Sequence, residues 1–164
     1  MKVVVNRCFG GFSISPKAIK RMAELNGKEC YFFKGYSIGE LEPITFEEAQ
    51  KNNFSISAFT VPDPNQYLLT FTNKSGLPEF KTIPWEKMTK KQREEQNTRY
   101  AEIIIENRPE NRADPLLVQV VEELGEEADG ACASLRIVEI PDDVKWFIDD
   151  YDGQETIREE HRSW

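Results

Sequence analysis

"VVVNRCFGGFSISP", residues 3–16, is the stretch whose reading decides the fold. Three consecutive valines, closed by polar residues and then by Gly10-Gly11, predict a short strand buried on both faces. Ser15 before Pro16 predicts a helix start. The serine oxygen can accept from a first-turn amide, and proline at the first helical position forfeits no hydrogen bond. The helix "SPKAIKRMAELNG" closes at Gly27, and Ile19, Met22, Ala23 and Leu25 give it an apolar stripe. "ECYFF" (29–33) predicts the following strand.

The same order returns further on. "YAEIIIE" (100–106) predicts a strand, "NRPENRADP" a loop, and "DPLLVQVVEELG" a helix with Asp114 as cap, Pro115 at its first position and Gly125 at its end. Leu116, Leu117, Val120, Val121 and Leu124 form its core face. Each unit carries an Asn-Arg pair just past its first strand. This predicts two strand–helix–strand units side by side in one sheet.

Between them, "TFEEAQKNN" (45–53) opens on a capping box of Thr45 and Glu48. "FSISAFTV" (54–61) and "QYLLTFT" (66–72) predict an antiparallel pair about "PDPN". Residues 75–100 read either as a mobile excursion or as carrying a short exposed polar helix that starts at Thr89, with Trp85 and Met88 as anchors to the body. "ASLRIVEI" (133–140) and "VKWFIDD" (144–150) predict a C-terminal hairpin joined by "PDD". "QETIREEHRSW" closes as a short helix or ordered tail held by Ile157 and Trp164. The expectation is one α+β domain over residues 1–164: a mixed β-sheet, two capped helices packed on it, and a C-terminal β-hairpin.

A chain of 164 residues, 39% apolar and 30% charged, has enough core to fold without a staple. No apolar run approaches the ~20 residues that span a bilayer, and the N-terminus lacks a secretory apolar segment, so a cytoplasmic location is expected, with no membrane partner. The three cysteines, Cys8, Cys30 and Cys132, are widely spaced and odd in number, which fits free thiols. His161 is the single histidine, so the usual zinc spacing does not occur and no metal or other cofactor is expected. Residues 1–114 carry 17 Lys and Arg against 15 Asp and Glu, and residues 115–164 carry 4 against 14. The acidic C-terminal third opposes duplex DNA binding; it suits a basic partner surface or mimicry of nucleic acid, with a solvated face that aids solubility as the competing reading.

The strings "MKVVVNRCFGGFSIS" (1–15), "RADPLLVQVVEELGEEADG" (112–130), "LRIVEIPDDVKWFIDDYDG" (135–153) and "EEHRSW" (159–164) resemble a family of small proteins encoded by phages, prophages and bacteria. The resemblance carries no activity with it. It implies a context, a phage-like gene product acting in a bacterial cytoplasm, where small proteins antagonise host defences by binding a host protein or a nucleotide signal.

A glycine loop before a capped helix is the recipe for an anion site, since amides and the helix dipole both face the loop. Arg7 adds a fork for phosphate, and Phe9 and Phe12 flank Gly10 and Gly11 where they could sandwich a base. The second loop offers Asn107, Arg108 and Arg112. These eight residues are the expected ligand set, for a nucleotide or other anionic small molecule. Its premise is that the two loops open on one sheet edge. Plain structure competes: the glycines as a turn, the phenylalanines as core, Arg7 paired with the acidic third. Cys8 and His161 are the candidates for a catalytic role in a small hydrolase or transferase. "DDYDGQE" has the density of carboxylates for a cation but not the EF-hand spacing; Asp152-Gly153 reads better as a turn.

Overall fold

The computed structural model describes residues 1–35, 41–52, 56–64, 88–106 and 109–160. β1 (Lys2–Asn6) leads through the glycine loop to α1 (Pro16–Leu25), followed by β2 (Tyr31–Lys34), β3 (Glu42–Ile44), α2 (Phe46–Lys51) and β4 (Ile56–Phe59). Then come α3 (Lys90–Ile103), β5 (Ile104–Ile105) and α4 (Pro115–Leu124), which tightens into a 3-10 turn at Gly125–Ala128. β6 (Leu135–Glu139), β7 (Trp146–Tyr151) and β8 (Gln154–Glu159) complete the order.

The helix starts form as their caps dictate. Ser15 Oγ accepts from the Ala18 amide at 3.1 Å, and Asp114 Oδ1 accepts from the Leu116 amide at 2.8 Å, each with proline next in line. Thr45 and Glu48 close their capping box on α2. Thr89 and Gln92 do the same for α3, whose first residue follows the predicted start. Met88 is buried beside it. Trp85, the predicted strand at 66–72, and Trp164 lie outside the described residues.

The fold is α+β, with the C-terminal hairpin, as expected. Its strands are distributed differently, in three sheets whose described ladders are all antiparallel: β1 with β6, β3-β2-β4-β5, and β7 with β8. β1 and β5, predicted as neighbours, therefore sit in separate sheets. Each repeated unit bridges the same two sheets, in opposite order. α1 and α4 pack against each other between them, and Val4, Phe12, Ile19, Phe32, Leu117, Val120 and Leu135 meet in one core. Val3, Val4 and Val5 are fully buried; side chains of this size contribute about 1.5–3 kcal/mol each when removed from water.

Two boundaries correct the sequence reading. The helix expected to give way to a strand at Tyr100 continues through Ile103, leaving only Ile104 and Ile105 extended. Ala101 and Glu102 are good helix formers and carry the helical ladder past the polar segment. The hairpin is β7–β8, about Asp152-Gly153, and not the 133–140 and 144–150 pair about "PDD"; 154–159 is a strand, not a helix or tail. Pro141, without an amide proton, ends the β1–β6 ladder just after the Ile140 amide reaches the Met1 carbonyl. Asp152 (φ 52°) and Gly153 (φ 86°) take the left-handed conformations a two-residue hairpin turn needs.

Candidate functional site

β6 covers one edge of β1, so the amides of the other edge need partners of their own. The Val4 amide donates to the Arg112 carbonyl at 2.9 Å. The Asn6 amide donates to Glu155 Oε2 at 2.8 Å. Glu155, 3% exposed, takes the Arg112 guanidinium on its other oxygen at 3.0 Å. The central carbon of that guanidinium stands over Phe12, 3.2 Å from the ring centroid. A carboxylate from β8 thus completes β1 and pairs with an arginine from the loop before α4, which rests on a phenyl ring from the glycine loop. A buried charge persists only with such partners.

Asn6 is the second junction and has no exposed surface. Its Nδ2 donates to the Cys8 carbonyl at 2.8 Å and to the Gly153 carbonyl at 2.6 Å. Its Oδ1 accepts from the Ser134 amide at 2.7 Å. One side chain therefore ties the glycine loop, the start of β6 and the hairpin tip together.

The glycines are explained by close approach. A Cβ on Gly10 would fall 2.7 Å from Cys132 Cβ, and one on Gly153 would fall 2.8 Å from Gly10 N and from Gly11 Cα. The hairpin tip rests directly on the Gly10-Gly11 backbone. Cys8 Sγ donates to the Cys132 carbonyl at 2.9 Å, which fixes the loop from beneath.

The eight expected ligand residues part company here. Phe12 is 4% exposed and is core, and Arg112 is held by Glu155 and Phe12. Arg7 is exposed, with Nη1 donating to the Glu155 carbonyl at 3.4 Å. Phe9 stands 63% exposed. Gly10 and Gly11 line a shallow cavity of about 440 Å³ with Phe9, Asp152 and Gly153. Asn107 and Arg108 lie outside the described residues, as does His161, the predicted partner of Cys8. The premise that both loops open on one sheet edge does not hold, since β1 and β5 belong to different sheets.

The start of α1 is also unlike an anion site. Ser15, Pro16 and Lys17 face Glu126, Glu127 and Asp129 across a concave surface. Lys17 Nζ pairs with Glu127 at 2.6 Å, and Ser15 Oγ donates to the Glu127 carbonyl at 2.6 Å. Burial pushes the Asp129 carboxyl up, against the pull of the Leu135 amide it accepts from and of Arg136. The positive end of this helix already faces the chain's own carboxylates, which would repel a phosphate.

The acidic run of the hairpin does not gather into a cation cage. Asp149 pairs with Arg158 at 2.5 Å, Glu155 with Arg112, and Asp150 accepts from the Gly153 amide at 3.1 Å. Among the described residues no three His, Cys, Asp or Glu side chains stand together as metal ligands. Among them, too, no helix is long and apolar enough to cross a membrane.

Asn6, Glu155 and Asp152 were absent from the expected set. Glu155 left one trace in the sequence: it stands two residues before Ile157, on the strand face directed toward the body, where a carboxylate needs an internal partner. Comparison with protein-family models, with curated proteins and with solved structures returned no match.

Proposed function

We propose that the chain is a non-catalytic binding protein whose contact face is its acidic C-terminal hairpin together with the tip of the glycine loop. The observation that carries this reading is the exposed chemistry there. Residues 139–160 hold nine carboxylates against Lys145 and Arg158. Glu155 is buried, while Asp150, Asp152, Glu159 and Glu160 are exposed. Three of the four exposed large apolar side chains among the described residues, Phe9, Phe147 and Tyr151, lie on the same loop and hairpin. Exposed aromatics ringed by one sign of charge suit a protein surface of the opposite sign. The phage-like resemblance makes the partner a basic host protein in a bacterial cytoplasm, bound as by an inhibitor or a nucleic-acid mimic.

The test is capture of the partner from host lysate on the immobilised chain at low and high ionic strength, beside the variant D149N/D150N/D152N. The reading expects steep loss of complex with salt and with neutralisation. Capture that is indifferent to both would remove it. The phosphorylated-ligand reading now rests, among the described arginines, on Arg7. Calorimetry of the chain against linear and cyclic nucleotides, with Arg7→Ala as control, decides it.

A further inference from the structure

The buried network contains a recognition unit in filled form. Phe12 from the glycine loop and Glu155 from the hairpin enclose a guanidinium, that of Arg112, with the ring beneath it and the carboxylate beside it. Three residues earlier on each of the same two segments stand Phe9 and Asp152. They line one cavity of about 440 Å³ with Gly10, Gly11 and Gly153. Phe9 is 63% exposed, and Asp152 carries no ion pair or hydrogen bond from its carboxylate among the described residues. No cation lines the cavity; Arg7 directs Nη1 to the Glu155 carbonyl.

We propose that this cavity is a guanidinium site, in which an arginine side chain of the partner lies against the Phe9 ring and meets the Asp152 carboxylate. The inference rests on the acidic contact face above and names the residue type it receives. Three features favour guanidinium over a generic cation. The cavity is shallow and its floor is glycine backbone, so a flat group can lie in it. The phenyl face attracts a delocalised cation by its quadrupole. A single carboxylate matches the planar fork of arginine better than the compact, strongly hydrated ammonium of lysine. The site is also fixed in place, because Asn6 binds the backbone at Gly153 in its lining and at Cys8, next to Phe9.

The experiment titrates N-acetyl-L-arginine methylamide into the full, isotopically labelled chain and reads the amide shifts of Gly10, Gly11 and Gly153. Saturable shifts at these glycines are expected, and their absence from the uncharged citrulline analogue. F9L and D152N should each bind about two- to fivefold more weakly. Both variants should keep the fold, since both side chains are exposed and asparagine tolerates positive φ. Absence of a saturable shift at the three glycines overturns the site, as does unchanged affinity in both variants or equal binding of citrulline. Shifts scattered along the hairpin and removed by D149N/D150N would overturn the cavity while leaving the acidic face intact. Salt-indifferent partner capture would remove the acidic face, yet a saturable shift at the glycines would still uphold the guanidinium site.

Discussion

Glu155→Gln changes one oxygen for an amino group in the least exposed charged site of the described chain. The carboxylate holds two donors at once, the Asn6 amide at 2.8 Å and Arg112 Nη2 at 3.0 Å. The glutamine amide offers one acceptor oxygen, and its NH2 brings a donor against whichever donor it does not serve. Removing one partner of a buried pair costs about 3–5 kcal/mol. Arg112 keeps 14% of its side-chain exposure and its seat on Phe12, which places the expected loss near the lower bound, about 3 kcal/mol. Arg112→Met keeps an unbranched apolar side chain at the position, removes the guanidinium from Phe12 and leaves the Glu155 carboxylate with the Asn6 amide, for a similar loss. The double variant restores neutrality, so its cost should fall short of the sum of the singles by about 2 kcal/mol. Urea unfolding of all four proteins measures this. With a slope of about 1–3 kcal/mol per molar, each single variant should lower the midpoint by roughly 1–3 M with the slope unchanged. In a thermal scan the same loss appears as roughly 6–12 °C. Single losses under about 1 kcal/mol, or strictly additive losses, would refute the view that these residues act as one buried unit.

Gly153→Ala and Gly11→Ala separate crowding from backbone strain. Both sites have φ 86°, but a Cβ at Gly153 meets the glycine loop while one at Gly11 meets nothing within 4 Å. Gly11→Ala should cost about 1–2 kcal/mol, and Gly153→Ala clearly more, with the tip lifting from Gly10-Gly11 as seen in amide exchange. Ser15→Ala removes both the α1 cap and the donor to the Glu127 carbonyl, for about 2 kcal/mol in the same urea assay. Burial pushes the Cys30 thiol up from its ordinary 9.0 to about 12. Its thiolate is therefore far rarer at neutral pH than that of an ordinary thiol. Alkylation should reach exposed Cys132 first and Cys30 last, and the Cys30 rate should keep rising with pH between 9 and 12. The thiol stays protonated in the folded chain while the unfolded chain ionises near 9.0, so this group favours unfolding progressively as pH rises through that window.

What could be read from letters was what local chemistry decides. The three valines form the expected strand, and the caps at Ser15, Thr45, Thr89 and Asp114 fix four helix starts, because a cap satisfies amides a few residues away. Which strands pair is decided by burial across more than a hundred residues, and the likeness of the two repeated units pointed to the wrong neighbours. The hairpin was misplaced by one strand because an apolar run before "PDD" outweighed the positive-φ requirement that Asp152-Gly153 meets. In the site, Gly10, Gly11 and Phe9 were recognised as special, but for an anion. The carboxylates that stand beside the loop arrive from Asp152 and Glu155, over 140 positions away, and no spacing rule relates them to it.

The dependence of β1 on Glu155 also orders events in time. During synthesis the three valines leave the ribosome well over a hundred residues before β6 and the capping carboxylate. Until they arrive an apolar strand has unpaired edge amides, the condition under which strands find the wrong partner. A chain halted short of residue 155 would carry that strand with its Asn6 amide unsealed, and the early helices supply no substitute for the missing carboxylate.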